Sequence, residues 1–505
     1  MANSKKLSQA SVTSAAKRES LVIYQVYIRS FRDASGDGIG DLRGLIGQLD
    51  HLCWLGVDGL WLSPVFKSPQ ADLGYDVSDY EDIDPLFGSM ADVDLLLTEA
   101  HKRNLIVLLD IVLCHTSIEH RWFLERKDWY VRYYGEASPN NWISAFGGSA
   151  WSRDGLADCW YLHNFYPEQP QLDWRNPDVY AAMLAVMRFW LDRGVDGFRL
   201  DAIQYLFVDA LLRDEPSSGY PRQTGTVHPD YAALNHVYTV DLPEVFPALA
   251  RLRADLPNAL LIAEAWKEVQ DLAPYADAVG LVFCFSLLFT APTAQGVGEV
   301  LAASARSAGL AWALSNHDFS RLATRWGREF VRLAATLLLT LPGAAFIYQG
   351  DEIGMADGPG ASKPVDRLGR DAFRHPIQWT PSGGFSSHEP WLSMIGRDGE
   401  DVQSQRNDPQ SLLWLYRRLI HLRAELHGPL EEVDVADGIL SYRRGRHLVA
   451  LNFGNASCAL PPPFGRAEVL LCTSSHPEPG FLPAYSAMVG TQSLAQRGDR
   501  LRPLT

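Results

Sequence analysis

The stretch GVDGFRLDA (194–202) reads as a β-strand that carries an arginine and an aspartate close to its end. Side chains alternate faces along a strand, so Val195, Gly197, Arg199 and Asp201 share one face and Phe198 and Leu200 the other. If Phe198 and Leu200 pack outward on helices, a cation and an anion point together into the interior. Buried charge is costly unless it is paired or in use. The strand therefore raises a question of fold and a question of chemistry at once.

The fold follows from what flanks it. Short apolar runs of the same kind recur as LVIYQVY (21–27), GVDGLWLS (56–63), LIVLLDIV (105–112), ALLIAEAW (259–266), GLVFCFS (280–286), GLAWALSN (309–316) and GAAFIYQG (343–350). Amphipathic stretches such as ADVDLLLTEAHKRN (91–104) and DVYAAMLAVMRFWLDRG (178–194) lie between them. Eight strands alternating with helices predict an α/β fold, a (β/α)8 TIM barrel, over residues 21–112 and 179–425. Residues 113–178, rich in aromatic and polar side chains, are too long for a plain loop after the third strand and read as an inserted subdomain. Short strands in GILSYRRG, HLVALNF and AEVLLC predict a C-terminal antiparallel β-sandwich over 430–505. Residues 1–20 are polar, lack an apolar signal core and read as a flexible tail.

A hydrophobic fraction of 47% and 15 tryptophans are ample for a large core in 505 residues. The net charge of -15 excludes nucleic acid and anionic membrane surfaces as partners. Six scattered cysteines with no CxxC pair suggest neither zinc nor a disulfide framework, but free thiols in a reducing, cytoplasmic compartment. The chain reads as a monomer or small homo-oligomer without a membrane span.

Active-site groups of such barrels sit at the C-terminal ends of the strands. Those ends carry Tyr75 and Asp76 after the second strand, Asp110 and His115 after the third, Arg199 and Asp201 on the fourth, Glu264 on the fifth, and His317 and Asp318 on the seventh. A single Asp there is as readily a helix cap; several acids converging on one rim are not. Asp201 and Glu264 fall on adjacent strands ~4.8 Å apart, near the ~5–5.5 Å that retaining glycoside hydrolysis needs between nucleophile and acid/base. Arg199, on the same face, is then expected to hold Asp201 ionised.

The motifs GYDVSDY, DIVLCHTS, QPQLDW, GFRLDA, AEAW and SNHD, in that order, make the chain similar to glycoside hydrolase family 13, the α-amylase family, and to its α-glucosidase and oligo-1,6-glucosidase branch. The resemblance implies that Asp201 is the nucleophile, Glu264 the acid/base and Asp318 the third carboxylate. It also implies that Asp76, His115, Arg199 and His317 grip the same glucose over a Tyr75 floor. RDAFRHPIQW resembles the family's RDPMRTPMQW, which places Arg374 in the pocket lining. Phe146 and Phe165 of the insert are candidate pocket walls or, equally, buried packing. The implied activity is a retaining, exo-acting α-glucosidase taking small α-glucosides such as maltose or sucrose, with transglucosylation as a side reaction.

Ala202, where relatives preferring α-1,6 bonds resemble one another in carrying Val, leans toward α-1,4 linkages. QPQLDW in place of QPDLN and the segment 213–238 depart from the family pattern on the leaving-group side. An oligo-1,6-glucosidase, a sucrose isomerase or a dedicated transglucosidase on the same framework are the alternatives. A non-catalytic relative is the remote one, disfavoured because all three carboxylates are present.

DASGDGIGDLRG (33–44) spaces Asp33, Ser35, Asp37, Ile39 and Asp41 two apart like the first nine positions of an EF-hand loop, though Gly44 stands where the closing Glu belongs. The branch often holds Ca or Mg at a similar loop, so a structural Ca or Mg is expected there, with no organic cofactor.

Overall fold

A computed structural model describes residues 20–155, 157–219, 227–361, 363–474 and 478–491. The 1–20 tail, save Ser20, and the last part of the 430–505 segment lie outside the described residues. Eight strands, β1 (Val22–Val26), β2 (Gly59–Leu62), β3 (Ile106–Val112), β4 (Gly197–Asp201), β5 (Leu260–Ala263), β6 (Gly280–Cys284), β7 (Leu310–Ala313) and β8 (Ala344–Tyr348), close into a barrel in chain order. Every pair is parallel, including β1 with β8. This is the (β/α)8 architecture expected from the alternation of runs.

The two faces of β4 go where the alternation sends them. Phe198 and Leu200 join the layer between barrel and helices, with Met183, Met187 and Trp190 of the helix Pro177–Arg193. That helix starts on Asn176, whose side chain accepts from the Asp178 N–H, and stops at Gly194 with φ 109°. Inside the barrel, Ile23, Trp61, Leu108, Ile262, Phe283 and Phe346 fill the lower layers. The repeated GVDG has one explanation at both sites. Its second glycine, Gly197, leaves room for the next strand, since a Cβ there would lie 2.0 Å from the Leu260 carbonyl oxygen. Its aspartate staples the neighbouring strand start, Asp196 accepting from Val107 N–H at 2.8 Å and Asp58 from Val22 N–H at 2.9 Å.

The insert folds as a three-stranded antiparallel sheet, with Cys159–Leu162 between Arg132–Tyr133 and Trp151–Asp154. The C-terminal part is antiparallel β, as expected: among the described residues two sheets pack on each other through Ile439, Leu448, Ala450, Met488 and Leu482. The larger is a five-stranded antiparallel sheet in the order Leu430–Ala436, Ile439–Arg444, His447–Asn452, Ala487–Thr491, Glu468–Cys472, and the smaller a two-stranded ribbon. The opposite face of the larger sheet packs on the barrel: Leu440, Val449 and Val489 share a core with Leu337 and Leu338 of the helix Val331–Thr340. A second full sheet is therefore not needed to bury that face. The six cysteines are free, and among the described residues no helix is long and apolar enough to cross a membrane.

Candidate active site

Register sets the site. Asp110 of β3, Arg199 of β4 and Ile262 of β5 stand at one level, so the Arg199 guanidinium enters the barrel between carboxylates. Its Nη1 donates to Asp110 Oδ1 at 2.7 Å and to Asp201 Oδ1 at 2.5 Å, and its Nη2 pairs with Glu264 Oε1 at 2.6 Å. Glu264 Oε2 also accepts from the Ala202 N–H at 2.9 Å. One buried cation thus serves three buried acids, and the excess negative charge must be relieved by protons. Burial, with Asp110 and Asp318 adding repulsion, pushes the Asp201 carboxyl up to about 7 against the pull of Arg199. Glu264 is pushed up to about 7 for the same reasons, desolvation leading, and Asp110 to about 6. The sequence led us to expect that Arg199 holds Asp201 ionised; instead the guanidinium is divided among three acids, and burial outweighs its pull on each of them.

The third acid lies in the opposite field. Asp318 Oδ1 accepts from Arg370 Nη1 at 2.8 Å and from Arg374 Nη2 at 3.1 Å. Burial would raise its carboxyl, but His317 and the guanidiniums of Arg370, Arg374 and Arg199 hold it well below the usual carboxylate range. His317 itself is pushed down to about 3 by burial and by the guanidiniums around it, so it is neutral at pH 7. Its partners fix the tautomer. Nδ1 faces Gln25 Nε2 at 2.8 Å, a donor, so Nε2 carries the hydrogen and gives it to Tyr75 Oη at 2.6 Å, which in turn donates to Asp110 Oδ2 at 3.0 Å. The Tyr75 ring lies stacked on His317, centroids 5.5 Å apart and 7° from parallel.

A cavity of about 750 Å³ opens above these groups, lined by Tyr75, His115, Phe146, Phe165, Asp201, Glu264 and Asp318 among the residues expected from sequence. Arg199 and His317 sit behind the lining. Phe146 and Phe165 pack on each other at 5.2 Å while both face the cavity. His115 is pushed down to about 4 by burial and is neutral.

Two residues are not where the sequence placed them. Asp76 is fully buried and spends its carboxylate on its own loop, accepting from Ser68 Oγ and from the N–H groups of Ala71 and Asp72. Asp72, which that turn presents, lines the cavity instead. Arg374 is also buried behind the wall, its Nε donating to the His317 carbonyl oxygen at 2.6 Å. Arg370, one 3-10 turn earlier, takes the lining position. Arg370 Nη2 donates to Asp72 Oδ1 at 2.6 Å, and Gln169 Nε2 to Asp72 Oδ2 at 3.0 Å. Asp72, Arg370 and Gln169 thus form a polar wall that the sequence reading missed. Its one legible signal was the presence of two acids in DLGYD and two arginines in RDAFR, with nothing in the spacing to choose between them.

The lining also includes Ala202, Trp266, Phe289 and Phe319 beside the polar Gln204, Lys267 and Ser320. Ala202 has φ 44°, in the left-handed region that a residue with a side chain rarely occupies.

The 33–41 loop has the donor types of a hard-cation site: three carboxylates, a hydroxyl and the Ile39 carbonyl. Its carboxylates are turned to the loop's own backbone. Asp33 accepts from the N–H groups of Gly36 and Gly38, and Asp41 from those of Ala34, Ser35 and Gly44. Among the described residues no three Asp, Glu, His or Cys side chains are grouped so as to hold a metal. The donors suit Ca or Mg; their arrangement is that of a self-closed loop.

Residues 25–428 match the family described as alpha amylase, catalytic domain, and residues 432–489 a domain of unknown function, DUF3459. The chain is 41% identical over 474 residues to a probable alpha-glucosidase of Rhizobium meliloti (strain 1021), covering 84% of this chain and 86% of that protein. It is 36% identical over 471 residues to an oligo-1,6-glucosidase of Parageobacillus thermoglucosidasius, covering 80% of this chain and 83% of the other. Among solved structures, an alpha-glucosyl transfer enzyme, XgtA, superposes with a TM-score of 0.86 at 37% identity, over 94% of this chain and 99% of that one.

Proposed function

The chain belongs to the α-amylase family of glycoside hydrolases, and from that premise we propose that it is a retaining, exo-acting α-glucosidase that removes the terminal glucose of short α-glucosides. The observation that carries this reading is the pair of carboxylates, Asp201 and Glu264, bracketing one guanidinium at the floor of a cavity whose far wall is the Asp72–Arg370 pair.

The terminal glucose lies over Tyr75, with Asp318 accepting from its hydroxyls. The proton rests on Glu264 and the charge on Asp201. Asp201 attacks the anomeric carbon as Glu264 protonates the departing oxygen, giving a glucosyl ester on Asp201 and a free alcohol. Glu264, now ionised, takes a proton from water, which attacks the same carbon and releases α-glucose. Another alcohol in place of that water gives a transglucosylation product. The Asp72–Arg370 wall supports exo action, because it stands where a further sugar on the glucose would have to pass.

Linkage preference is read from Ala202, whose small side chain beside Asp201 leaves room for an α-1,4 leaving group. The relative named oligo-1,6-glucosidase keeps α-1,6 cleavage as the second reading. Glucose release from maltose, isomaltose and sucrose, with the anomer followed by NMR, tests both. The proposal expects α-glucose first and maltose preferred. β-Glucose as first product would end the retaining reading, and preference for isomaltose would end the α-1,4 one.

We propose in addition that the 33–41 loop takes a structural Ca or Mg, on its donor types, and that the protein, with its free thiols, works in the cytoplasm. A melting temperature lowered by EDTA and restored by Ca would support the metal, and an unchanged one would remove it.

A further inference from the structure

Glu168 of the insert and Arg367 of the loop after β8 stand 199 positions apart and meet as a two-armed ion pair, Nη2 to Oε1 at 2.9 Å and Nη1 to Oε2 at 3.1 Å. The same guanidinium lies over the Tyr166 ring, 4.6 Å from its centroid. None of these three side chains lines the cavity, but their chain neighbours do: Gln169 on one segment, Leu368, Gly369 and Arg370 on the other. The blind end of the cavity is thus closed by two layers. The inner one is Gln169 and Arg370, both seated on Asp72; the outer one is Glu168 and Arg367. Each outer residue sits within three positions of an inner one, so movement of the outer pair is transmitted to the wall.

The inner layer is rigid by its own charge. Arg370 is held between Asp72, Asp318 and Asp366. Its segment meets the insert through Asp72, through the Arg370 guanidinium over the Phe146 ring at 5.8 Å, and, outermost, through the Glu168–Arg367 pair, whose Arg367 and Glu168 side chains are 48% and 31% exposed. An exposed pair of this kind shifts an equilibrium by roughly 1.4- to 5-fold, toward the upper end when both arms of the fork are engaged. That is small for folding, but it is enough to bias whether the wall is seated.

We propose that Glu168 and Arg367 are specificity-determining positioning residues: as a latch between insert and barrel they keep Gln169 and Arg370 on Asp72, and so restrict the pocket to an unsubstituted terminal glucose. This rests on the exo-glucosidase reading of the same cavity. A substituent on the glucose 4-hydroxyl needs the wall to give way, which the latch resists.

The test compares p-nitrophenyl α-glucoside with its 4-O-methyl derivative in the full-length wild type, Arg367→Glu, Glu168→Arg and the double exchange. Wild type should cleave the parent and strongly discriminate against the methylated compound. Each single variant should lose roughly two- to fivefold of that discrimination, chiefly through KM, with kcat on the parent within about twofold. The double exchange should restore it. Unchanged discrimination in folded single variants, or a loss that the exchange does not restore, overturns the latch. A wild type inactive on the parent glucoside overturns the exo-glucosidase reading, and the latch with it. Melting curves of all four proteins separate either result from misfolding.

Discussion

At the scale of single residues the site is a distribution of protons. Asp201 and Glu264 are each pushed up to about 7, chiefly by burial, and both are tied to Arg199. In the proposed double displacement the productive form has Asp201 ionised and Glu264 protonated. kcat/KM should therefore fall at low pH, as Asp201 takes a proton, and at high pH, as Glu264 loses one, giving a bell that straddles about 7. With α-glucosyl fluoride, whose leaving group needs no proton, glucosylation by Glu264→Gln should keep the acid limb and lose the basic limb. A basic limb that survives would exclude Glu264 as the proton source. Ala202 is the second residue of consequence. Val there adds bulk beside the nucleophile and strains a left-handed backbone at φ 44°. Ala202→Val should cut kcat/KM on maltose by roughly 10- to 100-fold and spare isomaltose more. Equal losses on both would separate residue 202 from linkage choice. The residues misassigned from sequence belong to this scale as well. Asp72 and Asp76 are four apart in one loop, and the choice between them depends on which carboxylate is consumed by local N–H donors, a property of the folded turn rather than of the spacing.

At the scale of elements the chain was far more legible. All eight barrel strands coincide with apolar runs, seven of them led by Gly or Asn, and the inward face of β4 follows from strict alternation. Gly197 shows why: the sequence must leave out a side chain where β5 passes, with the Leu260 oxygen 2.0 Å from the missing Cβ. Gly197→Ala should therefore destabilise by about 3 kcal/mol or more, the upper range for overpacking in a closed core, while Gly194→Ala acts through the φ of 109° at the helix end. A melting temperature for Gly197→Ala within a degree of wild type would show that the barrel can open there. The pairing of elements distant in sequence was not legible. The insert and the loop after β8 are joined by Glu168 and Arg367, and nothing local in either segment announces the other.

At the scale of the whole molecule, barrel and C-terminal sheet share one core. Tyr442 Oη meets Thr340 Oγ1 at 2.6 Å, and Arg444 Nη1 donates to the carbonyl oxygens of Thr340 and Leu341, each at 3.0 Å, capping the end of the helix Val331–Thr340. The sequence predicted the extra antiparallel strands but not the barrel helix that covers their other face, because that helix lies about a hundred positions earlier. Removing residues 430–505 should leave the barrel insoluble or melting far lower, since Leu337, Leu338 and Leu339 would lose their cover. A soluble, active barrel would show that the sheet is an appendage.

The most direct measurement is mass spectrometry of the peptide carrying Asp201 after Glu264→Gln is mixed with α-glucosyl fluoride. Without its base, the variant should accumulate a glucosyl ester, and fragmentation should place the sugar on Asp201. Accumulation on another residue, or turnover with no adduct and inversion of the anomeric centre, would contradict a double displacement through Asp201.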